Sequence, residues 1–407
     1  MAAFDLVLDP KRELYLSRSL AHASDCVPEC TAVARLDICA HAGYVGERAV
    51  ITGAQGDVRF ASVTRRLLFG SLALAPVVIV LGYFADLSET TDFVLSALAL
   101  VPLAWLIGEA TEHAAEHTGP GIGGFLNATF GNAPELIIAL LAVNRSLPEV
   151  VRGSLTGSVV SNLLLVLGVS LLVGGRGRVD RLSTYYSLGL VAGAAALFLV
   201  PAFSAWHGDP NRHSLALASI PVAAVLLVVY VAVTSYSLRR HRALHEEPEE
   251  LAGWSLANSL VALGLATLAT ALVAEILVGS LEVFADKMGL SDFFVAAVIV
   301  AIVGNAAEHG GAVLVAHRGK IPLAAEIALS SAAQVAVFLI PAVALLSWAV
   351  EPPLTLGFRP VEIGTLLGSV AVTLLVLAHG RSSRARGAVL TAAYAAAVAA
   401  FLVSGAR

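Results

Sequence analysis

The chain has 407 residues, of which 57% are hydrophobic and only 14% are charged, and its formal net charge is −5. A soluble domain of this size carries roughly 25% charged residues, so the composition excludes an ordinary soluble protein. The negative charge and the lack of an evident basic groove argue against nucleic acid as a partner.

Residues 1–66 precede the first apolar stretch. They are mixed in composition and have no helical periodicity, which predicts an N-terminal cytoplasmic arm. The cysteines, Cys26, Cys30 and Cys39, all lie in this arm, and their spacing fits neither a zinc site nor a disulfide framework. The arm also lacks the charged, apolar and small-residue pattern of a signal peptide.

From residue 67 onward, apolar stretches recur at about the ~20-residue length that a helix needs to cross a bilayer. Because backbone groups in lipid must be bonded internally, these stretches predict an all-α membrane protein. Eleven transmembrane helices are predicted at 67–84, 91–110, 121–143, 148–174, 185–206, 213–236, 254–277, 292–316, 322–350, 360–379 and 385–404.

The predicted spans fall into one helix and two groups of five. The helix in 67–90 stands alone, 91–236 forms the first five-helix repeat and 254–407 forms the second. Between them lies a charged acidic linker, 237–253, which contains the sequence RRHRALHEEPEE. Charge runs of this kind are usually solvated, and cation attraction is the functional alternative.

Basic residues are concentrated in alternate connections of this eleven-span arrangement. Arginine or lysine occurs at 65, 66, 176, 178, 181, 239, 240, 242, 318, 320, 381, 384 and 386. The positive-inside rule therefore predicts a cytoplasmic N-terminus and an external C-terminus. Alanine- and arginine-rich usage indicates a bacterium and hence its plasma membrane.

An internal repeat carries the strongest functional signal. The sequence GNAPELIIALLAVNR at Gly131–Arg145 matches GNAAEHGGAVLVAHR at Gly304–Arg318. Because five predicted spans separate the two segments, the copies enter the membrane with opposite polarity. Inverted repeats of this kind are typical of secondary transporters, whose site lies near mid-membrane at the repeat interface.

Glu135 and Glu308, one in each copy, are the predicted cation- and proton-binding carboxylates. A carboxylate within a span costs several kcal/mol, so it is functional by default. Two ionised glutamates balance one Ca²⁺, which prefers hard oxygen ligands. The predicted supporting ligands are Asn132, Asn305, Asn162, Gln334, Ser158 and Ser331. Helix contact through small residues is the structural alternative for the serines, and interhelical bonding is the alternative for the asparagines.

The same two carboxylates explain exchange. Without a cation they repel each other, so protons and metal compete for one site, and loading either ion empties the other. No cofactor is predicted, because Ca²⁺ is the transported substrate. Pro134 predicts a broken helix at this point, since it removes a helical hydrogen bond to the carbonyl of Phe130.

These motifs resemble a known family. The segments 110–143, 153–175 and 302–341 are similar to the calcium/proton exchanger family, the cation/proton antiporter branch of the calcium/cation antiporter superfamily. The resemblance implies Ca²⁺/H⁺ antiport, eleven helices and the site roles given above. Pro134 stands where that family often has threonine, and Ala332 and Ala333 replace hydroxyl-bearing residues. These departures leave fewer oxygen ligands than the family pattern has, which predicts a difference in affinity or ion preference rather than in mechanism.

Other titratable residues are candidates for an ion entrance or proton relay: His309, Glu112, Glu116, Glu275 and Glu282. An interfacial charged turn is the alternative for the acidic group. Two further functions stay open: an exchanger of the same superfamily that moves Na⁺, K⁺ or Mn²⁺, and a membrane zinc hydrolase. The second rests on the H-x-x-E-H pattern of His113, Glu116 and His117.

Overall fold

The computed structural model describes residues 67–206, 212–242, 253–350 and 352–405. The predicted arm 1–66 and residues 243–252 of the predicted linker lie outside the described residues. The division of the chain into an arm, a first helix, two repeats and a linker therefore stays a prediction.

The described chain is almost entirely helical. Its α-helices are α1 (Leu74–Phe84), α2 (Glu89–Phe130), α3 (Ala133–Asn144), α4 (Pro148–Val160), α5 (Leu167–Gly174), α6 (Arg181–Trp206), α7 (Arg212–Arg242), α8 (Leu256–Met288), α9 (Asp292–Phe294), α10 (Ala301–Gly304), α11 (Ala306–His317), α12 (Ile321–Gln334), α13 (Ile340–Leu346), α14 (Pro360–Leu377) and α15 (Arg384–Gly405). Three π-helical segments are π1 (Ser161–Val166), π2 (Val295–Val300) and π3 (Val335–Leu339), and Ser347–Ala349 is a 3₁₀ turn. The strands β1 (Gly177–Arg178) and β2 (Arg381–Ser382) pair antiparallel.

Within the described ranges, nine helices are long and apolar enough to cross a membrane, and the bent pair of Asp292–Gly304 and Ala306–His317 makes ten. Ala133–Asn144 is apolar but shorter than a full span. The helical membrane fold is thus confirmed, whereas the count of eleven stays a prediction. α7 also continues to Arg242, past the predicted end of the sixth span at 236.

The long helix α2 contains a reversal of direction. A Cβ built on Gly123 would lie 2.7 Å from the carbonyl oxygen of Ala115. Residues eight apart in a straight helix are separated by about 12 Å. The chain therefore folds back between these two residues, close to the predicted division between the second and third spans.

Both repeat motifs sit at helix breaks. In the first copy α2 ends at Phe130 and α3 begins at Ala133, with Pro134 in its first turn. In the second copy the chain bends by 59° at Asn305, between α10 and α11. The predicted broken helix at Pro134 is confirmed, and both breaks place a glutamate in the first turn of the following helix.

Glycines allow α4 to pack closely on the segment before the second motif. A Cβ on Gly157 would lie 2.0 Å from the Ala297 carbonyl oxygen, and one on Gly153 would lie 2.9 Å from that of Phe293. The two glycines are four residues apart, so they share one helix face. This contact joins the fourth predicted span of the first repeat to the eighth of the second, where the site lies.

Candidate functional site

The motif glutamates approach each other across the repeat interface. Glu135 is only 9% exposed and packs against Gly304 of the opposite motif. The carboxyl groups of Glu135 and Glu308 are near enough to interact electrostatically. The two residues that the sequence places in different halves of the chain therefore share one site.

Each glutamate lies in the first turn of a broken-helix segment, α3 or α11. A helix N-terminus carries a partial positive charge that stabilises a carboxylate. The α10 helix ends at Gly304, beside Glu135. A helix C-terminus carries a partial negative charge, which favours a cation. At these breaks, the helix N-termini therefore stabilise the glutamate carboxylates, and the C-terminus of α10 favours a cation bound beside them.

A chain of hydrogen bonds orients Glu308. The Ser331 hydroxyl donates to Oε2 of Glu308. The Nδ2 of Asn162 donates in turn to the Ser331 oxygen over 3.1 Å. Because its amide NH₂ points at Ser331, the Oδ1 of Asn162 is left buried without a hydrogen bond among the described residues.

Asn305 is held in a similar way from the other side. Its Nδ2 donates to Ser158 Oγ and to the Ala301 carbonyl, both over 2.9 Å. Its Oδ1 is also buried and accepts no hydrogen bond within the described ranges, and the same is true of Oε2 of Glu135. Buried polar atoms nearly always have a partner. Several buried oxygen atoms without hydrogen-bond donors, gathered in one site, are the kind of ligands that a hard cation such as Ca²⁺ binds.

The remaining two predicted ligands also meet across the repeats. Asn132 Nδ2 donates to Gln334 Oε1 over 3.4 Å. The structure thus brings together all eight predicted site residues, through contacts that run between the two motifs and the spans after them.

Two π-helical segments adjoin these residues: π1 begins at Ser161, and π3 follows Gln334 directly. Single-turn π segments often occur at functional sites.

A cavity of about 820 Å³ leads to this site. Its inner lining includes Gly131, Gly304 and Glu308, and its outer part includes Glu109, Glu112 and Glu116. Glu135 is not among the lining residues, since it lies behind Gly304. The two site glutamates therefore differ: Glu308 faces the cavity, and Glu135 is enclosed.

The candidate entrance residues separate into two groups. Glu112 and Glu116 line the cavity, and His309 follows Glu308 on α11 with a buried Nε2 that has no hydrogen bond among the described residues. Glu275 and Glu282 are outside the cavity lining. Glu275 accepts a hydrogen bond of 2.7 Å from the hydroxyl of Tyr83 on α1. The geometry supports an entrance role for Glu112 and Glu116 only, because the buried His309 is not among the lining residues either.

The H-x-x-E-H residues have other partners. His113 Nδ1 lies 3.3 Å from Glu116 Oε2, and its ring stacks on Trp254. His117 Nε2 lies 2.7 Å from the Trp254 carbonyl oxygen. No group of three His, Cys, Asp or Glu side chains suited to a metal occurs in the described part of the chain. These contacts tie α2 to the start of α8 and give no support to a zinc hydrolase.

Sequence reasoning missed a buried ionic network at the other end of α4. Glu362 is fully buried; its Oε2 lies 3.9 Å from Arg152 Nε and accepts a hydrogen bond from the backbone N–H of Arg359. The Arg359 guanidinium also pairs with Glu149 and lies 4.8 Å above the Phe293 ring. Charged residues inside predicted spans were the available signal, because they are costly there.

The chain is similar to proteins of one transporter family over most of its length. The family model described as sodium/calcium exchanger protein matches residues 89–239 and 258–403. A Ca²⁺/H⁺ antiporter of Synechocystis is 36% identical over 338 residues, covering 77% of this chain and 91% of that protein. The Ca²⁺/H⁺ antiporter ChaA of Bacillus subtilis is 35% identical over 342 residues, covering 81% and 97%.

The fold of this chain is also similar to that of a solved Ca²⁺/H⁺ antiporter structure. The structure of native YfkE superposes with a TM-score of 0.72 at 31% identity, covering 83% of this chain and 99% of that one. The regions that the family model matches, 89–239 and 258–403, include both glutamate motifs, the helix breaks and the spans that supply the amide and hydroxyl groups. This chain belongs to the sodium/calcium exchanger protein family.

Proposed function

We propose that this chain is a secondary antiporter that exchanges Ca²⁺ for H⁺ at a site containing Glu135 and Glu308. The observation that carries the proposal is the convergence of these two carboxylates, one from each motif, with buried amide oxygens of Asn162 and Asn305 that lack hydrogen bonds among the described residues. The names of the relatives in Synechocystis and Bacillus subtilis support the same exchange.

Charge balance provides the coupling. One Ca²⁺ neutralises two carboxylates, and two protons neutralise the same pair. A calcium-loaded site and a doubly protonated site thus carry equal charge, whereas an empty ionised site leaves two negative charges in a medium of low dielectric. The empty charged site is costly to carry across the membrane, so the transporter moves between its states with metal or protons bound.

The cavity supports a conformation open to one side. Its acidic outer part lies next to the fold-back of α2. From there the chain crosses once through the last part of α2 together with α3, and it returns through α4, π1 and α5 to the arginines of β1. The cavity therefore opens on the arginine-rich side, which the positive-inside rule assigns to the cytoplasm. Calcium enters from the cytoplasm past Glu112 and Glu116 and is exported.

An exchanger moving Na⁺, K⁺ or Mn²⁺ is the alternative of the same class. The two-carboxylate charge count favours a divalent ion, and the oxygen-only donor set favours Ca²⁺ over a softer metal. We place the protein in the plasma membrane of a bacterium with its N-terminus in the cytoplasm, on the basis of its charge bias and composition.

Proton-gradient-driven ⁴⁵Ca²⁺ flux in vesicles tests the function. Full-length protein should accumulate Ca²⁺ when a proton gradient is imposed, with Na⁺, K⁺ and Mn²⁺ as competitors. Glu135→Gln and Glu308→Gln should each abolish the flux, and Glu282→Gln, outside the cavity, should retain it. Near-normal flux in either site variant contradicts the assignment. Stronger inhibition by one competitor than by unlabelled Ca²⁺ favours the alternative ion.

A further inference from the structure

The loop after α5 and the loop before α15 join in a short β-ribbon. β1 and β2 pair with Gly177 opposite Ser382 and Arg178 opposite Arg381. Val179 N donates to the Gly380 carbonyl over 3.0 Å, and the Ser382 hydroxyl donates to the Gly175 carbonyl over 2.9 Å. The ribbon is therefore a fixed structure that joins connections distant in sequence.

Two exposed arginines face each other across this ribbon, Arg178 and Arg381. Like charges directly opposite in an antiparallel pair destabilise the pairing. Within the described ranges, the ion pairs found involve other side chains of the protein. An anion bound between the two guanidinium groups would remove their repulsion.

The ribbon borders two concave surfaces that share these arginines. One, of about 400 Å³, is lined by Arg176, Gly177, Arg178, Arg381, Ser382, Ser383 and Arg386. The other, of about 370 Å³, is lined by Arg178, Val179, Asp180, Arg181, His379, Gly380 and Arg381. The carboxylate of Asp180 is engaged at the start of α6, where its Oδ2 accepts from Ser183 N over 2.8 Å. Asp180 belongs to the second surface only, and the first surface is lined by four arginines and no acidic residue.

Apolar side chains extend from the ribbon along the neighbouring helices. Leu182 is 69% exposed on the first turn of α6, and Val389 is 51% exposed on α15. Tyr186 is half exposed, and the hydroxyl of Tyr185 donates to the Ala378 carbonyl at the end of α14. Tyrosines are enriched where a span meets the headgroup region. A cationic surface next to an exposed apolar surface would bind a ligand that has both an anionic group and an apolar part.

We propose that the ribbon binds an anionic phospholipid, with its headgroup phosphate between Arg178 and Arg381 and its acyl chains along Leu182 and Val389. Guanidinium groups bind phosphate in bidentate geometry, and basic pockets between helices on the cytoplasmic side are sites for anionic headgroups. The bound lipid joins two connections of the bundle and relieves the repulsion across the ribbon. Free inorganic phosphate offers the same headgroup chemistry without the chains.

Native mass spectrometry of the full-length protein in detergent tests this proposal, with phosphatidylglycerol, phosphatidylcholine and inorganic phosphate as probes. The protein should retain phosphatidylglycerol in preference to the other two. Arg178→Gln with Arg381→Gln should weaken that retention at least about tenfold. Lys287→Gln is the control, since it removes an exposed cation in the last turn of α8, away from the ribbon, and it should retain the lipid.

Equal retention of phosphatidylglycerol and phosphatidylcholine, or unchanged retention in the ribbon variant, overturns the proposal. Retention of inorganic phosphate to the same extent overturns the lipid assignment. If the glutamine variant does not fold, Arg178→Lys with Arg381→Lys is used instead. It keeps the positive charge that sets membrane orientation but loses the planar guanidinium groups that bind phosphate in bidentate geometry. Severalfold weaker lipid retention in this variant supports the site, and unchanged retention contradicts it.

Discussion

Glu135 packs directly against the backbone of Gly304. A Cβ at Gly304 would lie 3.3 Å from Cγ of Glu135 and 3.6 Å from its Cδ. The glycine of the second motif therefore makes room for the glutamate of the first. This contact sets the spacing between the repeats at the site, and the partly buried Glu308 lines the cavity.

Replacing Gly304 with alanine should displace the Glu135 carboxylate by a few tenths of an ångström. We expect the KM for Ca²⁺ in vesicle flux to rise severalfold, because cation ligands must hold a defined distance. Gly310→Ala is the control, since a Cβ there meets nothing within 4 Å. A normal KM in Gly304→Ala would show that the contact does not position Glu135.

Gly157→Ala should destabilise the whole bundle. The added methyl would lie 2.0 Å from the Ala297 carbonyl oxygen, which is backbone and cannot rotate away. We expect a loss of about 2 kcal/mol or more, seen as a lower midpoint of thermal unfolding in detergent. Gly264→Ala on α8 has open space around it and serves as the control. Equal midpoints for the two variants would contradict the close α4 packing.

Ser331→Ala should weaken Ca²⁺ binding. It removes the hydroxyl that donates to Glu308 and the acceptor of Asn162 Nδ2, so both side chains lose their fixed orientation. Hydrogen bonds to charged groups contribute about 1.5–3 kcal/mol, which corresponds to a loss of affinity of roughly tenfold or more. Equilibrium ⁴⁵Ca²⁺ binding measures it. The neighbouring Ser330→Ala, which removes a hydroxyl that donates to the Ile327 carbonyl, should bind normally.

Arg152→Met should be more harmful than the double change Arg152→Met with Glu362→Gln. The single variant leaves the fully buried carboxylate of Glu362 without its Arg152 partner, and breaking such a pair costs about 3–5 kcal/mol. The double variant removes both charges. Thermal unfolding of the singles and the double forms a mutant cycle, and strictly additive losses would show that Arg152 and Glu362 do not interact.

The helical membrane fold could be predicted because apolar stretches of span length are a local signal. The repeated GNAxE motif led to eight candidate site residues, which the structure brings together, and their roles in binding stay a prediction. It did not predict that Glu308 lines a cavity while Glu135 lies behind Gly304, since that depends on how the repeats pack. The fold-back between Ala115 and Gly123 lies close to the predicted division between the second and third spans. Glu275 and Glu282 are predicted entrance residues because they lie in the counterpart region of the seventh span, but they are outside the cavity lining.

Proton release on Ca²⁺ binding tests the central claim most directly. Full-length protein in weakly buffered detergent solution is mixed with Ca²⁺, and protons released are counted with a pH indicator. If metal and protons share Glu135 and Glu308, binding should release protons from the wild-type protein, and Glu135→Gln and Glu308→Gln should each reduce the release and the binding together. Calcium binding without proton release, or undiminished release from both variants, would contradict the account.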